Sequence, residues 1–140
     1  MAKRVTPPEA ADLLAQGWRY LDVRSIPEFD EGHPQGAANV PLLHLQGGRM
    51  VPNGDFQRVV EAHYPKDAPL VVGCKSGGRS AQAAALLEAA GYTSVVDMRG
   101  GMAGERDMFG RVSVAGWVEA GLPVETTTGP GQTYADLTKP

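Results

Sequence analysis

Two buried-strand patterns with a helical segment between them constrain the fold of this chain most strongly. Residues 69–74 form a continuous apolar run bounded by turn formers, and residues 93–98 have the pattern of a second buried strand. The segment 79–90 between them is rich in Ala and Leu and stops at Gly91, as a helix would. This strand, helix, strand order favours two parallel strands joined by a helical crossover.

The N-terminal segment continues the alternation. Residues 6–9 have capping-box spacing with proline at the first helical position, which predicts a short helix that ends at Gly17. Residues 18–24 have the aromatic and β-branched composition of a strand. Strands that alternate with helices predict an α/β fold with a mostly parallel sheet and helices on both faces.

The remaining segments are less regular. Residues 26–54 are rich in Gly and Pro, and we expect loop there with one brief helical turn. Residues 55–63 have the apolar spacing of a helix with Asp55 as its N-cap. We expect a last helix over residues 114–120.

Length and charge limit the class of protein. The 140 residues correspond to one domain, and a hydrophobic content of 42% is sufficient for its core. We assign residues 1–125 to this domain and expect residues 126–140 to form a polar tail, mobile or lying along the surface. The net charge of −3 argues against binding to nucleic acid or to an anionic membrane, because both need a basic surplus.

The cellular compartment is inferred from segments that the sequence lacks. The longest apolar runs, such as residues 83–87, are far shorter than the roughly 20 residues that span a bilayer. Pro7 and Pro8 come before any apolar signal region develops. Cys74 is the single cysteine, which excludes an internal disulfide framework. We therefore expect a cytoplasmic protein.

Cys74 is the strongest candidate for a catalytic residue. It ends an apolar strand, at the edge of a parallel sheet where ligands bind. The turn that follows consists of Lys75, Ser76, Gly77, Gly78, Arg79 and Ser80. Amide groups of such a turn, the positive end of the next helix and two cations favour the thiolate, so we expect a nucleophilic cysteine. The alternative is a small core residue, as most lone cysteines are.

Two other chemistries fit the same residues. Residues 73–80 are one substitution away from a phosphate-binding loop, with Arg79 in place of lysine, and Asp97 would then help to hold magnesium. Nothing else in the chain resembles a nucleotide base pocket. A cysteine-dependent phosphatase would also use a thiolate and an arginine, but only four residues separate Cys74 from Arg79, one fewer than usual in that family. The smaller loop suits a single sulfur atom better than a phosphoryl group.

Several stretches together resemble the single-domain rhodaneses, which are thiosulfate sulfurtransferases. Residues 74–80 resemble the active-site loop of that family, and residues 21–41 are similar to its N-terminal signature. Residues 100–102 and 120–123 are similar to its C-terminal signatures. The match covers about residues 5–125 in the order of the family, and the combination is far more specific than any single stretch.

This resemblance implies a five-stranded parallel sheet with helices on both sides, and a two-step transfer of sulfur. Cys74 as a thiolate would take the outer sulfur of thiosulfate or another small anionic donor, form a persulfide and release sulfite. The persulfide would then pass its terminal sulfur to cyanide or to a thiol acceptor, a protein thiol included. No metal and no organic cofactor is required. Arg79 would brace the loop, and Lys75 would attract the donor at the mouth.

Three further residues are weaker candidates for a supporting role at the site. Asp22 and Arg24 end the strand next to the catalytic one, so they either organise the loop through an ion pair with each other or with Arg79, or form a solvated strand end. His33 belongs to the N-terminal signature, where a structural hydrogen bond is favoured over contact with the site. The single cysteine and the absence of a close histidine pair argue against zinc.

One segment departs from the family pattern. Residues 105–115 are extra sequence compared with relatives, and they place the charged residues 105–107 near the expected entrance. They would narrow the choice of substrate or dock a partner.

Two functional classes stay open. The first is an enzyme that transfers sulfur through Cys74. The second is a non-catalytic module that uses the same fold to carry sulfur or to bind a partner. The combination of Cys74 with Lys75 and Arg79 favours the enzyme.

Overall fold

Strands and helices follow one another along residues 2–139, the part of the chain that the computed structural model describes. Numbered in chain order, the strands are β1 (Lys3–Val5), β2 (Arg19–Asp22), β3 (His33–Pro34), β4 (Ala38–Asn39), β5 (Leu43–Gln46), β6 (Arg49–Pro52), β7 (Leu70–Gly73), β8 (Val95–Met98), β9 (Glu105–Arg106), β10 (Val112–Val114) and β11 (Val124–Glu125). The helices are α1 (Pro7–Ala15), α2 (Ile26–Glu31), α3 (Phe56–His63), α4 (Gly78–Ala89) and α5 (Tyr134–Leu137). Five strands form one sheet in the order β1-β8-β7-β2-β4, with every neighbouring pair parallel. The predicted α/β fold with a five-stranded parallel sheet is confirmed.

Strand β7 lies at the centre of this sheet and positions the residues that follow it. Gly73 at its end pairs with Asp22 of β2, and Val72 pairs with Asp97 of β8. All four residues of β7 are buried, as the continuous apolar pattern predicts for a strand covered on both faces. The carboxyl ends of β2, β7 and β8 therefore meet at one edge of the sheet.

Helices cover both faces of the sheet, so the strands contribute to two cores. The first core contains Leu70 and Val72 and is covered by α3 and α4. The second contains Val71 and is covered by α1 and α2. Because side chains alternate along a strand, Cys74 lies on the side of the first core, facing α4.

The region 26–54 holds more regular structure than predicted. It contains α2, the edge strand β4 and an antiparallel hairpin of β5 and β6. Strands of two residues, such as β4, are too short to show a periodic pattern. The hairpin turn consists of Gly47 and Gly48, with φ of +57° and +77°, a conformation that favours glycine.

The helix predicted over residues 114–120 is wrong. The segment instead continues from β10 into a series of turns. Trp117 is buried in the second core, and its backbone N–H donates to Gly101 O at 2.8 Å. A Cβ at Gly116 would come 2.7 Å from Met102 O, so the segment packs closely against the backbone that follows β8. These tertiary contacts override the local helical preference.

The C-terminal tail packs on the domain. Leu137 of α5 is buried in the first core, and the N–H of Asn39 in the edge strand β4 donates to Gln132 O at 2.8 Å. Of the two behaviours expected for residues 126–140, contact with the surface is the one observed for the described part of the tail.

Candidate active site

Cys74 follows β7 directly, with its sulfur inside the turn that leads into α4. The Sγ accepts hydrogen bonds from the backbone N–H of Gly77 at 3.1 Å and of Ser80 at 3.3 Å. The residue is 1% exposed, so its own loop encloses the sulfur. Two amide donors aimed at one sulfur atom stabilise a negative charge there.

Two glycines make this turn possible. Gly73 lies against Tyr20 on the neighbouring strand, and a Cβ at position 73 would overlap the Tyr20 hydroxyl. Gly77 is the N-cap of α4 and has a φ of +111°, in the left-handed region that glycine adopts at least cost. Its conformation turns the Gly77 N–H toward the sulfur.

The segment after β8 supports the loop from the other side. The N–H of Met102 donates to Cys74 O at 2.9 Å, and the N–H of Ala103 donates to Lys75 O at 2.8 Å. Gly101 packs directly on the same two carbonyl groups. The sequence identified residues 100–102 only as part of a signature, and their contact with the loop comes from the tertiary structure.

Arg79 is engaged by Glu28, a residue that the sequence analysis did not single out. The guanidinium donates from Nη1 to Oε1 at 2.6 Å and from Nη2 to Oε2 at 2.9 Å. Glu28 also accepts from the Ser25 backbone and hydroxyl in the capping box of α2. The pair ties α2 to the first turn of α4, and it compensates the charge of Arg79.

Replacement of Glu28 by glutamine should destabilise the fold in a pH-dependent way. Burial disfavours the charged carboxylate, but hydrogen bonds from Arg79 and Ser25 outweigh it and lower the pKa of Glu28 from 4.5 to about 2. After a discount for partial exposure, this shift corresponds to about 2 kcal/mol of unfolding free energy. The contribution is present above pH 4.5 and is lost as the pH falls toward 2.

Urea unfolding at pH 7 and at pH 3 measures this effect. Glu28→Gln should unfold at lower urea than the wild type at pH 7, and the difference should shrink at acidic pH. Glu61→Gln is the control, because the ion pair of Glu61 with Lys66 is solvent-exposed and should contribute little. An equal loss at both pH values would contradict the assigned role of the carboxylate.

Asp22 and Arg24 form an ion pair with each other. Arg24 Nη2 lies 2.8 Å from Asp22 Oδ2 and also donates to Gly32 O at 2.7 Å. Both residues are buried, so they are not a solvated strand end. Asn39 Nδ2 donates to the backbone oxygens of both residues, which holds the end of β2 in place.

His33 occupies a structural position. It is fully buried, its ring stacks on Phe29 with centroids 3.9 Å apart, and its Nδ1 lies 2.9 Å from Phe29 O. Its Nε2 lies 3.4 Å from Glu125 Oε1, next to the short antiparallel pair of β3 and β11. The imidazole does not line the cleft beside Cys74.

A cleft of about 510 Å³ opens beside the loop. Its charged lining residues are Arg24, Lys75, Arg106, Glu28, Glu31 and Glu119. Arg24 is paired with Asp22, and Arg106 is paired with Glu119 at 3.1 Å. Among residues 2–139, no ion pair or hydrogen bond involves the Lys75 side chain. Lys75 is therefore the cation of this cleft without an ion-pair partner among the described residues, and Glu31 is the acidic residue of the cleft in the same position.

The extra segment forms a hairpin beside the cleft. Strands β9 and β10 pair antiparallel, and Arg106 of β9 reaches the cleft. Glu105 pairs with Arg99 at 3.2 Å, and Asp107 pairs with Arg111 at 3.2 Å. The three charged residues expected near the entrance, at positions 105–107, thus each have an ion-pair partner.

Asp97, which the phosphate-binding alternative would assign to magnesium, is engaged by two side chains. Its Oδ1 accepts a hydrogen bond from Ser80 Oγ at 2.5 Å, and its Oδ2 accepts one from Arg4 Nε at 3.0 Å. The parallel pairing of β7 with β8 brings Asp97 to the same sheet edge as Cys74. The predicted parallel pairing of these two strands was the only feature of the sequence that could place Asp97 near Cys74. Nothing in the sequence indicated that Arg4 would bind Asp97.

Three further features of residues 2–139 concern metal sites, membrane-spanning helices and cavities. No group of three or more His, Cys, Asp and Glu side chains in this range is arranged to hold a metal ion. None of the helices described is both long and apolar enough to traverse a bilayer. A larger groove of about 640 Å³, lined mainly by apolar residues of α3, α4 and the β5–β6 hairpin, does not include the Cys74 loop.

Comparisons with known proteins agree with this geometry. The family model for the rhodanese-like domain matches residues 6–105. Thiosulfate sulfurtransferase 16, chloroplastic, from Arabidopsis thaliana is 40% identical over 116 residues, which cover 83% of this chain and 87% of that protein. The crystal structure of Rv0390 from M. tuberculosis superimposes with a TM-score of 0.75 at 27% identity and covers 90% of this chain and 98% of that one.

A further relative is longer than the matched region. Rhodanese-like domain-containing protein 15, chloroplastic, from Arabidopsis thaliana is also 40% identical over 116 residues, or 83% of this chain, but the match spans only 57% of that protein. Both Arabidopsis relatives are chloroplastic by name. The prediction of a cytoplasmic location is contradicted by these relatives. It was based on segments that the sequence lacks and on its single cysteine, which do not identify a compartment.

Proposed function

Because this chain belongs to the rhodanese-like domain family, we propose that it is a sulfurtransferase that carries sulfane sulfur on Cys74 as a persulfide. The donor is thiosulfate or a similar small anion, and the acceptor is cyanide or a thiol, including a thiol on a protein. The observation that carries this proposal is the pair of hydrogen bonds from Gly77 and Ser80 amides to the single thiol of the chain.

In the first half-reaction, the Cys74 thiolate attacks the outer sulfur of thiosulfate. A bond forms between Sγ and that sulfur, while the sulfur–sulfur bond of thiosulfate breaks and its electron pair leaves with sulfite. The two amide donors support the thiolate before the attack, at a position where solvent is excluded.

In the second half-reaction, the acceptor attacks the terminal sulfur of the persulfide. The bond between the two sulfur atoms breaks, and Sγ leaves as a thiolate. The same two amides stabilise this leaving group, because they donate to Sγ. Cyanide gives thiocyanate, and a thiol gives a new persulfide.

The charged residues have separate roles in this scheme. Lys75 attracts the anionic donor into the cleft, since its charge has no partner among the described residues. Arg79 braces the loop through Glu28. Because Cys74 is only 1% exposed, the loop around it must open to admit the donor.

Intact-mass analysis after incubation with thiosulfate tests the proposal. The protein should gain about 32 Da, the mass of one sulfur atom, and should lose it again on addition of cyanide. Since Cys74 is the only cysteine, the mass change assigns the site without peptide mapping. Protein blocked beforehand with an alkylating agent is the control and should gain nothing.

Other outcomes distinguish the alternatives. A persulfide that forms but is not passed to cyanide or thiols would indicate a non-catalytic sulfur carrier. Hydrolysis of an aryl phosphate that is faster than sulfur transfer would indicate a cysteine-dependent phosphatase. The pairing of Arg79 with Glu28 argues against the phosphatase, because that arginine would have to bind the phosphoryl group.

A further inference from the structure

The Ser80 hydroxyl lies between the Cys74 sulfur and a buried carboxylate. Its Oγ is 2.5 Å from Asp97 Oδ1, 3.2 Å from Gly77 O and 3.5 Å from Cys74 Sγ. Ser80 is fully buried and Asp97 is 2% exposed. A hydroxyl has one proton, so Ser80 can donate to only one of these three atoms at a time.

Asp97 is the favoured acceptor of that proton. Its hydrogen bond to Ser80 is the shortest of the three, and an ionised acceptor binds a hydroxyl proton more strongly than a neutral carbonyl. Arg4 Nε, at 3.0 Å from Oδ2, fixes the orientation of the carboxylate. The lone pairs of Ser80 Oγ then face the sulfur, where they can accept a bond from the thiol.

We propose that Asp97, held by Arg4, is a positioning residue that turns the Ser80 hydroxyl proton away from Cys74. Ser80 then accepts a hydrogen bond from the Cys74 thiol and donates none from its hydroxyl to the thiolate. Only the backbone amides of Gly77 and Ser80 support the thiolate. Asp97 thereby withholds one hydrogen-bond donor from the sulfur.

This arrangement also distinguishes the thiolate from the persulfide, a consequence that rests on the function proposed above. In a persulfide the negative charge lies on the terminal sulfur, and Sγ is neutral. Oxygen lone pairs that face Sγ therefore oppose the thiolate more than the persulfide. Asp97 is expected to favour the sulfur-loaded state over the free thiolate.

The other charged and titratable groups near Cys74 stay constant when only Asp97 is changed. They are Arg79 with Glu28, Arg24 with Asp22, the exposed Lys75, and the buried Tyr20. Arg4 also lies beside the loop and loses its ion-pair partner in this variant, so the Ser80→Ala background below separates its charge from the effect of the hydroxyl. Asp97→Asn preserves the shape of the side chain, can still accept from Arg4, and presents an amide donor to Ser80 Oγ. The hydroxyl proton is then free to point to the sulfur.

The first test measures the rate at which iodoacetamide alkylates Cys74 as a function of pH. For each variant, the alkylation ratio is the rate at pH 6 divided by the plateau rate at high pH. This ratio cancels any change in access to the buried sulfur. Asp97→Asn should raise the ratio about tenfold over the wild type, because the thiolate gains a hydrogen bond. In a Ser80→Ala background, the same substitution should change the ratio by less than about twofold.

The second test does not depend on the fold of the Ser80 variant. The S–H stretching band in the infrared spectrum comes from one residue, since the chain has a single cysteine. The band should move to higher frequency in Asp97→Asn, because Ser80 no longer accepts from the thiol. A purely structural role of Asp97 would lower the stability without moving this band.

Two results would overturn the proposal. An equal rise of the alkylation ratio in both backgrounds would mean that the carboxylate charge acts directly on the sulfur. An unchanged ratio and an unmoved band in Asp97→Asn would mean that Asp97 does not control the hydroxyl. Neither measurement needs a sulfur donor, so failure here is separable from failure of persulfide formation.

Discussion

Replacement of Cys74 by serine is expected to reduce sulfur transfer from thiosulfate to cyanide by at least about a thousandfold. A serine hydroxyl holds its proton too tightly to act as a nucleophile without an adjacent base, and it cannot form the sulfur–sulfur bond that stores the transferred atom. In this site the Ser80 hydroxyl proton is directed to Asp97, so no neighbouring group is placed to activate a serine.

The fold should survive this substitution. Serine is close to cysteine in size, and its Oγ can accept the two hydrogen bonds that Gly77 and Ser80 donate to the sulfur. Circular dichroism and the urea midpoint of Cys74→Ser should match the wild type, and thiocyanate formation measures the activity. Retained turnover in a folded Cys74→Ser protein would contradict the persulfide mechanism.

Replacement of Gly101 by alanine should have the largest effect on stability. Gly101 has a φ of +56°, and a Cβ there would lie 2.5 Å from the carbonyl carbon and oxygen of Lys75 and would also overlap Cys74 O. These are backbone atoms of the proposed catalytic loop, which cannot move aside as a side chain can. We expect a loss of about 3 kcal/mol or more of unfolding free energy.

The same substitution should displace the loop in molecules that remain folded. Sulfur transfer by Gly101→Ala, corrected for the folded fraction, should therefore also fall. Gly110→Ala is the matched control, because Gly110 has a φ of +79° with nothing within 4 Å of a Cβ, and it should lose only about 1 kcal/mol. Urea unfolding compares the two variants, and equal losses would show that the close approach at Gly101 is unimportant.

The parts of the site that could be predicted from the sequence are those encoded over a few residues. The position of Cys74 at the end of β7 follows from one apolar run, and the turn into α4 follows from adjacent glycines. A central parallel strand must be apolar throughout, so its pattern is hard to mistake. The catalytic role of Cys74 itself stays a prediction until its chemistry is measured.

The supporting residues could not be predicted in the same way. Glu28 is 51 positions from Arg79, Asp97 is 17 from Ser80, and Arg4 is 93 from Asp97. An isolated carboxylate in a sequence has many possible cationic partners, and the choice among them depends on how the elements pack. The error over residues 114–120 has a similar origin, since the packing of Trp117 overrode local helical preference.

The amino-acid sequence by itself determined the alternation of the central strands and helices, their parallel pairing and the single thiol at the carboxyl edge of the sheet, because local periodicity and turn chemistry act between near neighbours. Only the tertiary structure decided which charges around that thiol are compensated and which groups surround the Ser80 hydroxyl. Ion pairs and hydrogen bonds act over a few ångströms, and distances of that size between remote residues exist only once the helices have packed on the sheet.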